Sequence, residues 1–140
     1  AQYYAYELAG AARDFARAEQ ALAEAGAEDD RRVVLGNLAV ASADRGDYRT
    51  AAGVYDRLLP LLAGRRDEAL AANLLNGAAV LLSLGEAERA LDRYVEALRV
   101  ADERDLDRIR INARIGLGAA HLQLGQPELA ATHLEGALRS

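Results

Sequence analysis

Residues 82–98, LSLGEAERALDRYVEAL, decide the fold. A glycine (Gly85) follows an apolar run, an alanine (Ala90) stands five residues later, a bulky residue (Tyr94) four after that, and a small one (Ala97) three further on. Residues 43–59, ADRGDYRTAAGVYDRLL, place Gly46, Ala51, Tyr55 and Leu58 at the same spacing, and residues 122–138, LQLGQPELAATHLEGAL, place Gly125, Ala130, Leu134 and Ala137 there. Ala11, Phe15 and Ala18 show the pattern once more without the glycine. The successive alanines are 40, 39 and 40 residues apart, and a fixed period of that size marks a repeat architecture.

Each unit reads as two helices. Apolar residues recur along one face of a 3.6-residue period after each glycine, and again before it: Val34, Leu35, Leu38 and Ala41; Leu74, Leu75, Ala78, Leu81 and Leu82; Ile111, Ile115, Gly118 and Leu122. Gly46, Gly85 and Gly125 stand where a helix ends and the chain turns, a place where a residue without Cβ takes a left-handed conformation cheaply. Asp47 is suited to cap the next helix, Glu86 to its first turn, and Pro127 to a first helical position. Gly26 to Asp30, Gly64 with Asp67, and Asp102–Asp105 mark further turns. Seven helices are expected, over 2–25, 30–45, 47–63, 67–84, 86–103, 105–124 and 127–139. Residues 1–140 then form a single array: a partial repeat at 1–26 holding only a second helix, and full helix pairs at 31–64, 67–103 and 105–140.

Composition supports an all-α chain. The 140 residues include 32 Ala and 23 Leu, while aromatics make up only 5%, so small aliphatic side chains must fill the core. Ala39, Ala78 and Gly118 lie seven residues before the turn glycines, opposite Ala51, Ala90 and Ala130 in an antiparallel hairpin. Small facing small lets helix axes approach closely, with Tyr55 and Tyr94 filling the gap toward the neighbouring unit.

Several chemistries are disfavoured at the outset. All 17 basic residues are Arg and there is no Cys, so thiol catalysis, thiolate metal sites and disulfides are out. A net charge of −5 disfavours nucleic acid as a partner. No apolar run reaches the length of a membrane span, and no signal peptide opens the chain, which points to a cytoplasmic protein with no membrane partner. His121 and His133 have no second ligand at helical spacing, and the carboxylates of Glu28–Asp29–Asp30 and Asp102–Glu103 fall at turns rather than converging, so no catalytic or metal residue is assigned and no cofactor is expected. Arg65–Arg66 and the mixed run of Arg104, Arg108 and Arg110 with Asp105 and Asp107 read as solvated surface. Tyr3, Tyr4 and Tyr6 suggest packing or an end-to-end contact.

The repeat resembles the tetratricopeptide repeat (TPR) family at Leu38, Ala39, Gly46, Tyr48, Ala51 and Tyr55; at Ala78, Gly85, Ala90, Tyr94 and Ala97; and at Leu117, Gly118, Gly125, Ala130 and Ala137. It departs from the family at Leu35, Leu74 and Arg114, where aromatics are usual, at Ser42, Leu81 and His121, where a tyrosine is usual, and in its longer period, as in the arrays of bacterial regulators. The resemblance implies a right-handed superhelical α-solenoid of antiparallel helix pairs, whose first helices line a concave groove. The groove positions it implies are Val33, Asn37 and Val40; Ala72, Asn76 and Ala79; and Asn112, Gly116 and Ala119. Asn37 and Asn76 recur 39 residues apart in helix interiors that disfavour Asn. Their carboxamides either form a ladder that pairs with the backbone of an extended peptide, or bond a neighbouring turn or solvent. Val33, Ala72 and Gly116 stand where some family members hold a basic carboxylate clamp, so such a clamp is not expected.

The function expected from this resemblance is a non-enzymatic module that binds a peptide or partner helix, as a regulatory or scaffold segment of a larger signalling or transcription protein. The alternative is a scaffold that forms homo-oligomers through its open ends. The packing argument is testable through Ala90→Leu, which should overpack the hairpin seam and lower unfolding free energy by about 1–3 kcal/mol in urea titrations. An unchanged midpoint would show that Ala90 does not face another helix.

Overall fold

The computed structural model describes residue 13, residues 16–21, 23 and 24, and residues 26–140. Tyr3, Tyr4, Tyr6, Ala11 and Phe15 lie outside the described residues, as does much of the expected opening helix. Six helices follow residue 26: α1 (Glu28–Asp44), α2 (Tyr48–Leu62), α3 (Glu68–Ser83), α4 (Ala87–Arg104), α5 (Asp107–Gln123) and α6 (Pro127–Leu138). Residues 16–21, 23 and 24 are also helical, and no strand occurs among the described residues. The chain is all-α and built from consecutive helix pairs, with each expected boundary between 30 and 139 within two residues of the observed one. It divides into two compact units, Ala1–Leu61 and Leu62–Ser140.

The turn between the helices of each pair has one construction. Gly46, Gly85 and Gly125 have φ of 80°, 78° and 70°. The N–H of Gly85 donates to the Leu82 carbonyl at 3.0 Å and that of Glu86 to Leu81 at 2.9 Å; the same two bonds recur as Gly46 to Ala43 and Asp47 to Ser42, and as Gly125 to Leu122 and Gln126 to His121. These pairs satisfy carbonyls that the helix end leaves open and aim the chain back along itself. Entry to the next helix varies. The Asp47 carboxylate accepts from the Thr50 N–H at 3.2 Å and its hydroxyl at 2.6 Å, and Asp67 accepts from the Leu70 N–H at 3.0 Å, whereas Glu86 caps no N–H with its side chain and Pro127 opens α6. Glu28, Asp29 and Asp30 occupy the first turn of α1, where carboxylates meet the positive helix end. Asp102 and Glu103 instead lie inside the last turn of α4, not beyond it.

In the first unit, Leu35, Leu38 and Ala39 of α1 and Ala51, Tyr55 and Leu58 of α2 are buried. Gly36 lies under Leu58, at 4.0 Å from where a Cβ would stand. Glu19, only 5% exposed, accepts from Arg31 of α1 at 3.0 Å and Arg57 of α2 at 2.7 Å, which ties its helical segment to both. Those guanidiniums hold its carboxyl below the usual range against the opposing effect of burial. Ala18, by contrast, is exposed.

In the second unit each helix packs on its successor, and α3 also reaches α5, as in a two-layer stack of helix pairs. Ala78 and Ala90 are fully buried, as the small-facing-small reading requires. Tyr94 of α4 lays its ring over Gly116 of α5, where any side chain would collide with it. In the last pair the small residue Gly118 receives Leu134, whose Cγ lies 2.7 Å from a built Cβ, one turn beyond the Ala130 that the spacing picks out.

Ser42 stands at the repeat position of the fully buried Leu81 and is itself fully buried, with a hydroxyl that finds no hydrogen-bond partner among the described residues. Replacing a buried, unpaired hydroxyl with hydrogen removes a desolvation cost. Ser42→Ala should therefore leave stability unchanged or raise it by about 1 kcal/mol in chemical denaturation. A clear loss would mean that the hydroxyl is engaged in solution.

Candidate functional site

The second unit holds a cleft of about 570 Å³ lined from both layers of first helices. Glu68, Ala72, Leu75 and Asn76 come from one face of α3, and Asp107, Arg108, Ile109 and Asn112 from the start of α5, with Asp105 and Leu106 of the connecting turn at its end. The spacing of 68, 72, 75 and 76 brings these four side chains onto one stripe of α3. Asp105 closes α4 in a left-handed conformation, with φ of 57°, and the Leu106 N–H donates to the Ala101 carbonyl at 2.9 Å. That tight turn brings α5 alongside α3.

Ion pairs fix the cleft's edges. Arg110 bonds Asp102 at 2.7 Å and Asp105 at 3.3 Å, and also Asp107. These carboxylates raise the already high guanidinium pKa, and the single positive charge is shared among the three of them. Arg66, itself at a positive φ of 43°, bonds Glu96 at 2.8 Å and Glu103 at 2.7 Å, holding the Glu103 carboxyl below its usual range, while Arg104 donates to the Arg66 carbonyl at 2.6 Å. Arg65 bonds Asp67 at 2.8 Å. Thus the arginines read as solvated surface are mostly committed to structure. Glu68 and Arg108 form no ion pair among the described residues, and the lining, with three carboxylates against one arginine, is acidic on balance.

Of the nine groove positions implied by the resemblance, the cleft brings together Ala72, Asn76 and Asn112. Asn76 and Asn112 are exposed, and neither amide is bonded to another described residue. The neighbouring Asn73 is different: its amide donates to the Ala69 carbonyl of its own helix at 2.8 Å. Ala79 and Ala119 are exposed but do not line the cleft. Gly116 is corrected: it is buried beneath Tyr94 and offers no surface to a ligand. In the first unit, Val33 (62% exposed), Asn37 and Val40 (48%) share the outward face of α1. Glu68, Leu75, the turn residues Asp105 and Leu106, and Asp107, Arg108 and Ile109 of α5 were missed, because only the packing of α5 on α3 makes them neighbours.

The two histidines come together in space, which their separation in sequence does not reveal. The His121 and His133 rings stack with centroids 5.2 Å apart and planes 6° from parallel, and His121 Nδ1 lies 2.8 Å from Gln126 Oε1. Burial, then the neighbouring His121 and Arg114, push the His133 imidazole below its usual range. No group of three or more metal-ligating side chains converges among the described residues.

No family model matches the chain, and no curated protein matches its sequence. Among solved structures it is similar to BtubC (BKLC) from P. vanneervenii, with a TM-score of 0.81 and 22% identity over 95% of this chain and 56% of that one. The two share a fold, and this chain spans little more than half the length of its structural neighbour.

Because folding lowers the pKa of His133, the unfolded chain binds the extra proton first as pH falls. Stability should be fully present at pH values above the unfolded histidine value of about 6.5 and decline as pH falls below it, before carboxylates titrate. Unfolding midpoints between pH 7.5 and 5.5 should therefore fall less in His133→Gln than in the parent chain. An identical slope in both would show that the stacked ring is not the titrating group.

Proposed function

We propose that this chain is a non-enzymatic interaction module of the TPR kind, cytoplasmic and bacterial in type, that seats an extended peptide or partner segment in the cleft between α3 and α5. The observation that carries this reading is the pair of exposed, unengaged amides of Asn76 on α3, beside Ala72, and Asn112 on α5, which line one cleft. Each amide supplies donors and an acceptor, so the two can pair with a peptide backbone without regard to its side chains. The acidic balance of the lining disfavours capture of a strongly acidic ligand. Val33, Asn37 and Val40 present one further exposed amide, between two valines, on α1.

The reading has further support in what surrounds the cleft. Arg110 and Arg66 spend their donors on carboxylates of their own unit, so the walls are held without using the amides. No described helix is long and apolar enough to cross a membrane. A regulatory or scaffold role within a larger protein follows from the same reading, since a module of this kind acts through whatever it is joined to.

Peptides selected against the chain from a random display library should bind it as a monomer. Asn76→Ala with Asn112→Ala should weaken that binding about tenfold, the loss of two modest hydrogen bonds, without moving the unfolding midpoint. Asn37→Ala reports whether the α1 face takes part as well. Undiminished affinity in the Asn76 and Asn112 double variant would remove the cleft as the site.

A further inference from the structure

A second groove, of about 770 Å³, runs between α4, α5 and α6. It shares only Asp107 with the cleft at Asn76. Leu98 of α4 supplies an apolar part of its wall, and Arg110, Arg114 and Arg139 line it with His133. Asp107 is the one acid in this lining, and it is bonded to Arg110 together with Asp102 and Asp105. Arg114 and Arg139 form no ion pair among the described residues. Two cations without carboxylates thus share one groove in a chain whose net charge is −5.

The preceding helix pair shows what is missing. Forty positions earlier, Arg114, Gly136 and Arg139 correspond to Leu74, Glu96 and Arg99, and His133 to Arg93. Leu74 is buried in the core, and the Glu96 carboxylate accepts from Arg66 at 2.8 Å and lies 3.4 Å from Arg99. In the later pair an arginine stands in place of the leucine, and the carboxylate is gone. Gly136 yields its space to the Arg114 side chain, whose Cδ lies 3.6 Å from a built Cβ. Arg114 Nη1 donates to the Gly136 carbonyl at 3.2 Å and to the Ser140 hydroxyl, which offsets the negative end of α6 and holds the guanidinium at the groove. The other nitrogens of Arg114, and the guanidinium of Arg139, have no partner among the described residues.

We propose that this groove binds a phosphate monoester, with Arg114 and Arg139 holding the phosphoryl oxygens and Leu98 receiving the organic part. Two guanidiniums match the charge of the dianion, and their planar forks suit its oxygens. A single carboxylate would leave one of the two cations unmatched. The assignment does not depend on peptide binding at Asn76, so either site can fail without the other.

The probes are phenyl phosphate and inorganic phosphate, titrated into the full chain at constant ionic strength and followed by amide NMR. Phenyl phosphate should saturate the shifts of the α6 amides at about millimolar concentration, and bind more tightly than inorganic phosphate. It should also move the His133 titration upward: burial, then His121 and Arg114, hold that imidazole down, and a bound dianion opposes them. Gly136→Glu restores the acid of the preceding pair, and its side chain has room, since the contacts of a built Cβ are ordinary van der Waals distances. This variant should keep the parent's helicity and lose at least about tenfold in affinity, whereas Gly136→Ala should bind as the parent does. Arg139→Gln, at an exposed position, should weaken binding likewise. Affinity undiminished by Gly136→Glu or by Arg139→Gln overturns the site, as does a titration that never saturates. Inorganic phosphate binding as tightly as phenyl phosphate overturns the assignment to an ester.

Discussion

Close approach of helices at positions with little or no side chain is the constraint on which the second unit depends. The Tyr94 ring occupies space that exists only because position 116 is glycine. Without that contact α4 and α5 could not come near enough for α5 to reach α3, and the cleft would have no second wall. The chain has few large residues to work with, so its core is a set of alanine and glycine seats into which two tyrosines and a number of leucines fit. Such packing tolerates little change in volume, since interiors are already close to crystal density. It also sets the helix order, because a bulky residue finds a seat only when the small residue opposite belongs to the correct neighbour.

Electrostatics serves the same geometry. Asp102 and Glu103 sit in the last turn of α4, where the helix dipole opposes a negative charge. Arg110 and Arg66 offset that penalty from outside the helix, one from α5 and one from the turn before α3. Single exposed ion pairs are each worth about 0–1 kcal/mol, so they add little to stability. Their value is positional: the two arginines tie both connecting turns to the end of α4. Asp105 and Asp107 thereby become part of the cleft's frame, and the groups left free to meet a ligand are the two amides with Glu68 and Arg108.

The turns were legible in the sequence because their chemistry is local. Gly46, Gly85 and Gly125 need a left-handed backbone, Asp47 caps from one residue away, and Pro127 fits a first turn; each depends on a few neighbouring residues. The seams were legible because period and residue size together select them, as at Ala78 and Ala90. The cleft was only partly so. Asn37, Asn76 and Gly116 share one repeat position, yet Asn76 is exposed and Gly116 lies under a ring, because rotation toward a neighbour is set by the neighbouring helix. The histidine stack and the bond from Arg110 back to Asp102 across a turn likewise arise from tertiary packing, and neither fits the helical spacings that a sequence displays.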